Sequence, residues 1–213
     1  MPNVKNRTLA SIRLMPDLSV GADASNSVQF IAVVLGRTDD VTKLRNDICS
    51  THNLKKIHMR RLIEKSKIAQ TLSKLSTPLV HMYCFKVDRP RHAKTLESAD
   101  KTQYMSATQR NQNIDFCIAM EIKTAISDSL GLFYQTWDNL VIEADQDTTK
   151  MFKAMGLTVT TEKEDSTVAL PHYAYELADA VAWVNNAGST LRGLRERDLI
   201  QKIDDRLHKK LRL

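Results

Sequence analysis

Two apolar segments near the start of the chain, separated by a short polar turn, constrain the fold more than any other feature. The segments are residues 17–23 and 28–35, and the turn is Ala24–Ser27. Residues 28–35 carry apolar side chains on both faces of an extended chain, which predicts a strand buried on both sides. The two segments therefore predict an antiparallel hairpin within a sheet that helices cover.

The rest of the chain alternates between helical and strand patterns. Further strands are predicted at residues 79–87, 139–145 and 157–161, and helices at residues 41–49, 58–75, 107–130, 147–155, 170–186 and 190–211. Residues 88–107 are polar and contain Pro90, which favours a loop, and Gly131 is the expected helix stop. We expect an α/β fold with a mixed five-stranded sheet flanked by helices, in which parallel strands follow the hairpin through helical connections.

Length and composition indicate an ordinary globular protein. The chain has 213 residues, of which 42% are hydrophobic and 26% charged. We expect one domain over residues 1–188, with a helical insertion at about 40–75, and a basic C-terminal helix over residues 189–213. No apolar run is long enough for a membrane helix, and the first residues do not resemble a secretory signal.

Cysteine usage and charge suggest the compartment and the partner. Cys49, Cys84 and Cys117 form no CxxC pair, which favours buried thiols in a reducing, cytoplasmic protein. The formal net charge is +6, and residues 52–75 and 188–213 carry local net charges of +6 and +4. Two basic surfaces of this kind fit a polyanion, although charge runs are more often simply solvated helix faces.

Three aspartates occupy positions that would converge at one edge of the sheet. Asp23 ends the first strand, Asp145 ends the strand 139–145, and Asp179 lies on helix 170–186. Ligands of open α/β sheets usually bind at the carboxyl ends of strands. The alanines around Asp179 would let its helix pack close to the sheet; they are Ala178, Ala180 and Ala182.

A carboxylate cluster of this kind predicts metal-assisted phosphodiester cleavage. Carboxylate oxygens are ligands for Mg²⁺ or Mn²⁺, and two such ions activate water and stabilise the leaving oxygen. Glu143 or Glu121 would be the fourth carboxylate. Each aspartate also has a structural interpretation. Asp23 would cap the following turn, Asp145 or Asp147 would cap the next helix, and Asp179 would pair with a lysine.

The order of these elements resembles the ribonuclease H-like superfamily, and more narrowly a widespread prokaryotic family of unknown function within it. The resemblance spans residues 18–186 and lies in three short motifs. Residues 21–35 resemble the family's opening strand, turn and second strand. Residues 57–62, with His58, resemble its histidine at the head of a helix. Residues 165–179 resemble its polar turn and helical Leu-Ala-Asp. Ala24 stands where the family often has Glu, and Glu176 where it has Gln.

The resemblance implies a nuclease-like site with metal ligands at Asp23, Asp145 and Asp179. The substrate would be DNA or RNA, and the aromatic content of 6% does not indicate sequence-specific recognition. His58 would contact the scissile phosphate or transfer a proton, and His172 is a weaker candidate for the same role. The alternative is an inactive relative that binds nucleic acid or protein, with the C-terminal helix as a possible dimer surface. An actin-like ATPase is disfavoured, because residues 24–27 lack the glycines of a phosphate loop.

Overall fold

A computed structural model describes the chain over residues 18–24, 30–62, 64–75, 79–98, 105–133, 136–137, 140–161, 173–190 and 209–212. These residues form an α/β fold in which one mixed sheet has helices on both faces. The predicted fold class is therefore confirmed at the level of a mixed sheet flanked by helices. In the described part of the chain, none of the helices has the length and apolar character needed to cross a membrane.

The sheet has five strands between residues 18 and 160 and a sixth at the C-terminal end. The strands are β1 (Leu18–Ala24), β2 (Phe30–Arg37), β3 (Val80–Lys86), β4 (Val141–Ala144), β5 (Thr158–Thr160) and β6 (Lys209–Arg212). The helices are α1 (Thr38–Thr51), α2 (Lys65–Leu75), α3 (Arg89–Ser98), α4 (Ala107–Leu132), α5 (Gln146–Ala154) and α6 (Tyr173–Thr190). A single 3-10 turn, Met59–Arg61, precedes α2.

The strand order is β5-β4-β1-β2-β3-β6. β1 pairs with β2 in the predicted antiparallel hairpin, and β4 and β5 are added in parallel on the side of β1. β3 pairs antiparallel with β2, so the prediction that only parallel strands follow the hairpin is wrong for β3. The connection through α1 and α2 returns to the end of the sheet at which β2 finishes, so β3 begins there and runs opposite to β2.

The two faces of the sheet hold two separate apolar cores, because side chains alternate along each strand. Leu18, Val20 and Ala22 pack on the face covered by α4 and α5. Ala32 and Val34, which pair with Asp23 and Gly21, pack on the opposite face under α1, α2 and α6.

Helix α6 lies against β1 at Gly21. A β-carbon at Gly21 would lie 2.1 Å from the backbone carbonyl carbon of Ala174, a separation that no side chain permits. Glycine at this position, together with the alanines of α6, allows helix and strand backbones to approach closely. This contact fixes the start of α6 over the centre of the sheet.

Two predictions of helical segments are wrong, one for a local and one for a long-range reason. Residues 89–98 form α3 where a loop was predicted: the Asp88 carboxylate accepts the amide of Arg91, and Pro90 lies in the first turn, where its missing N–H costs nothing. The helix predicted over residues 58–75 begins only at Lys65, because carboxylates of α6 bind the backbone amides of Ile57 and Met59.

The C-terminal part also differs from the prediction. Residues 209–212 form β6, parallel to β3, where a helix was predicted to reach residue 211. α6 continues to Thr190, past residue 186, at which this helix was predicted to end. The rest of the predicted C-terminal helix, and the dimer surface proposed on it, lie outside the described residues. Two of the three cysteines are buried as expected, and Cys117 is partly exposed.

We expect Gly21→Ala to lower the free energy of unfolding by about 3 kcal/mol or more, because the added methyl group meets helix backbone and not a flexible side chain. Urea denaturation measures the change. Gly131→Ala is the matched control, since a β-carbon there meets nothing within 4 Å. That variant should be more stable by about 0.5–1 kcal/mol, the usual gain for alanine in a helix. Equal stabilities of the two variants would contradict the close approach of α6 to β1.

Candidate functional site

A cluster of charged side chains connects α6 to residues 55–61, a stretch that we call the basic segment. It contains the cationic side chains of Lys55, Lys56, Arg60 and Arg61. Lys55, Arg60 and Arg61 are exposed, whereas Ile57 and Met59 are fully buried in the core under α6. The segment is thus anchored by apolar side chains and presents its cations to solvent.

Asp179 holds the middle of the basic segment. Its Oδ2 atom accepts the backbone amide of Met59 at 2.8 Å and lies 3.1 Å from Nδ1 of His58. The Asp179 side chain is 14% exposed and that of His58 is 32% exposed. The carboxylate is therefore largely shielded from water, whereas the imidazole ring reaches the surface.

The contact with Asp179 determines which nitrogen of His58 carries the proton. In the neutral ring Nδ1–H donates to the carboxylate, which leaves the lone pair on Nε2. The pair can therefore accept and release a proton at Nε2.

A second carboxylate of α6, Glu176, forms a buried ion pair with Arg45 of α1. Oε2 of Glu176 accepts Nε of Arg45 at 2.8 Å and the amide of Ile57 at 2.9 Å. Arg45 Nη2 also donates to the carbonyl oxygen of Lys55 at 2.5 Å, and the guanidinium lies over the Tyr173 ring. Burial alone would lower the pKa of Arg45, but the hydrogen bond and negative charge of Glu176 raise it above its usual value.

Glu143 and Asp145 both bind helix N-termini. Oε2 of Glu143 accepts the amide of Tyr175 at 3.0 Å, in the first turn of α6. Asp145 is the N-cap of α5, where Oδ1 accepts the amide of Thr148 at 2.8 Å and its hydroxyl at 2.5 Å. Of the two alternatives for capping α5, Asp145 and not Asp147 is the cap.

Asp23 lies in the sheet, 7% exposed, on the face that α6 covers. It directly follows Ala22, which pairs with Ala144 of β4. Asp23, the penultimate residue of β1, and Asp145, which directly follows β4, therefore lie next to each other at the carboxyl ends of two adjacent parallel strands. The turn that Asp23 was expected to cap, and His172, lie outside the described residues.

Glu121 lies apart from these groups. It belongs to α4, on the opposite face of the sheet, with Oε2 3.8 Å from Nε2 of His92. The structure thus brings Asp179 together with His58, places Asp23 beside Asp145 at the sheet edge, and does not bring Glu121 to the face that carries Asp179.

The predicted metal ligands do not fit a shared cation cluster in this arrangement. Among the residues that the structure describes, no three His, Cys, Asp or Glu side chains are grouped so that they could hold one metal ion. Glu143, Asp145 and Asp179 each use an oxygen to accept a backbone amide. Dependence on Mg²⁺ or Mn²⁺ stays a prediction, and this arrangement of the described residues does not support it.

Comparison of the chain with protein-family models, with curated proteins and with solved structures found no match. Function is therefore inferred from the residues and their geometry.

The sequence patterns did not reveal the Arg45–Glu176 pair, although α1 carries a signal for it. The buried residues of α1 recur at helical spacing, and Arg45 occupies one position of that stripe between Leu44 and Ile48. A charged residue within an apolar stripe is rarely buried unless it is paired. The sequence does not show which of the distant carboxylates is the partner.

We expect Asp145→Ala to lower the free energy of unfolding by about 1 kcal/mol through loss of the α5 cap. Asp145→Ser should retain most of that stability, because a serine hydroxyl also accepts an N-terminal amide. Chemical denaturation of the two variants and the wild type provides the comparison. If serine were as destabilising as alanine, the hydrogen bond to Thr148 would not be the stabilising contact.

Proposed function

We propose that this protein is a nuclease that hydrolyses phosphodiester bonds in nucleic acid, with His58 as the group that transfers the proton. One observation carries the proposal: a histidine held by a shielded carboxylate lies within an exposed cationic segment. The segment supplies the charge that attracts a polyanion, and the histidine supplies acid–base chemistry at the same place.

The cations of the basic segment would bind the phosphate backbone. Lys55, Arg60 and Arg61 are exposed, and Lys74 of α2 adds a further exposed charge, whereas Lys67 is paired with Glu64. Contacts of this kind neutralise phosphates and carry no information about base sequence. Only 6% of the residues are aromatic, which is consistent with little stacking on bases. DNA and RNA are both candidate substrates.

His58 would act on the attacking water. Nε2 takes a proton from the water while the water oxygen attacks phosphorus. The bond between phosphorus and the leaving oxygen then breaks, and solvent protonates the leaving oxygen. Asp179 keeps Nδ1 protonated and stabilises the imidazolium that forms. Arg60 and Arg61 lie in the same segment and would offset the negative charge that accumulates on the phosphoryl oxygens.

An inactive module that binds nucleic acid is the second candidate, and one observation favours it. The carboxylates expected to hold metal ions are used as hydrogen-bond acceptors for backbone amides, at Tyr175, Thr148 and Met59. In such a module Asp179 would only fix the basic segment in place. The two candidates differ in one measurable property, since both bind nucleic acid and only the nuclease cleaves it.

We expect the wild type to cleave labelled single- or double-stranded DNA or RNA, and His58→Ala to lower kcat by about 10²–10⁴-fold, the usual contribution of a general acid or base. Asp179→Asn should also lower kcat, because the orientation of the His58 ring is weakened. The amide oxygen of asparagine can still accept the Met59 amide, so the basic segment should stay in place. The assay is run with Mg²⁺, with Mn²⁺ and with a chelator, which also tests the predicted metal requirement.

His52→Ala is the control for the histidine variants. His52 is partly buried and bonds the hydroxyl of Thr71, close to the basic segment in sequence, but it has no carboxylate partner among the described residues. Its loss should leave kcat unchanged. Binding without cleavage by the wild type under all metal conditions would exclude the nuclease and support the inactive module.

We expect replacement of Lys55, Arg60 and Arg61 by glutamine to weaken binding to duplex DNA and to reduce its salt dependence. The slope of log K against log salt should fall by about 0.9 for each phosphate that the variant no longer neutralises. Fluorescence anisotropy at several salt concentrations measures both quantities. Lys150 and Lys153 of α5, exposed on the opposite face, form the matched control pair, and their replacement should leave the slope unchanged.

A further inference from the structure

Residues 55–58 adopt no regular secondary structure before the 3-10 turn that begins at Met59, yet side chains of two helices bind residues 55–59 at every second residue. Arg45 donates to the carbonyl oxygen of Lys55, Glu176 accepts the amide of Ile57, and Asp179 accepts the amide of Met59. These backbone groups would otherwise be satisfied by a helix or a sheet partner. The helix residues thus replace the missing secondary structure.

The geometry of the segment explains why two carboxylates of one helix suffice. His58 has φ −144° and ψ 91°, an extended conformation. In an extended chain the N–H groups of the residue before and the residue after a given position point to the same side, so those of Ile57 and Met59 point the same way. Glu176 and Asp179 are three residues apart on α6 and lie on one face of that helix. The two carboxylates therefore bind the amides on both sides of His58.

A buried ion pair is a costly way to fill space. Arg45 and Glu176 are 9% and 5% exposed, and two charges in such a place are often no more stabilising than an apolar pair of the same volume. An apolar pair, however, could not bind the carbonyl oxygen of Lys55 or the amide of Ile57. The specific effect of the ion pair is therefore on the backbone that leads to His58.

We infer that Arg45 and Glu176 are positioning residues for His58: they fix residues 55–57 so that the ring meets Asp179 through Nδ1 and presents Nε2 outward. The inference rests on the proposed function for its catalytic consequence, although the orientation of the ring can be measured in the free protein. Arg45 and Glu176 do not contact the substrate, and Asp179 remains the direct partner of the ring.

The test uses two variants of the full chain. Arg45→Met with Glu176→Leu removes both charges together and leaves no unpaired buried ion. Glu176→Gln is the conservative variant, because a carbonyl oxygen in the position of Oε2 still accepts the Ile57 amide. Nitrogen NMR of the histidine rings reports the tautomer of His58, and His52, bonded to Thr71, is the internal reference.

In the wild type we expect His58 to be protonated mainly at Nδ1. The double variant should lose that preference and, if the wild type cleaves nucleic acid, should lose at least tenfold in kcat with little change in KM. Glu176→Gln should retain most of both properties. The His52 signals should stay unchanged in every variant, which shows that the fold is intact.

The outcomes separate this inference from the proposed function. A changed tautomer of His58 in the double variant, in a protein that never cleaves nucleic acid, overturns the nuclease and supports the positioning role. A double variant that keeps both the wild-type tautomer and the wild-type kcat overturns the positioning role and leaves the nuclease intact. If the double variant does not fold, Arg45→Lys replaces it, since an ammonium cannot reach Glu176 and the Lys55 carbonyl in the same geometry as a guanidinium.

Discussion

The direct contact between α6 and β1 at Gly21 is the constraint on which the arrangement of charged groups depends. Because the two backbones touch, the position of α6 over the sheet is fixed at its first turn, where Glu143 of β4 accepts the Tyr175 amide. From that start, the helix carries Glu176 and Asp179 to the basic segment. A helix displaced from the sheet by a single methyl group would carry both carboxylates away from their amides.

The hairpin, the apolar strands and most helices could be predicted from the sequence because each is encoded locally. The sequence of residues 28–35 has the apolar pattern of a strand buried on both faces, and the sequences of α4 and α5 have apolar stripes. α3 shows how a local signal is misread, since Pro90 favours a loop in isolation but follows Asp88, a residue that caps helices. The late start of α2 was not predictable in the same way. It depends on carboxylates more than 100 residues away in sequence that compete for the backbone amides.

In the candidate site, too, some features could be predicted from local sequence and others depend on distant residues. That Asp23 and Asp145 lie at one sheet edge follows from where their strands end. The contact between His58 and Asp179 joins residues 121 positions apart and was not predicted; His58 was assigned to the same candidate site only through the motifs of the resembled family. What each carboxylate does also depends on which donors the fold places nearby. Asp145 binds Thr148, and Asp179 binds Met59 and His58, so both carboxylates already have hydrogen-bond donors within the protein.

The two faces of the sheet differ in how their helices are attached, and this affects any experiment in which salt is varied. α6 is held to the basic segment by contacts that are largely buried, whereas α3 is joined to α4 by partly exposed ion pairs, Arg89–Asp115 and Arg110–Glu97. Exposed pairs are screened by salt and buried ones much less so. Raising the ionic strength to release nucleic acid from one face would therefore also weaken these ion pairs on the other. A spectroscopic change seen during such a titration need not report on the bound nucleic acid.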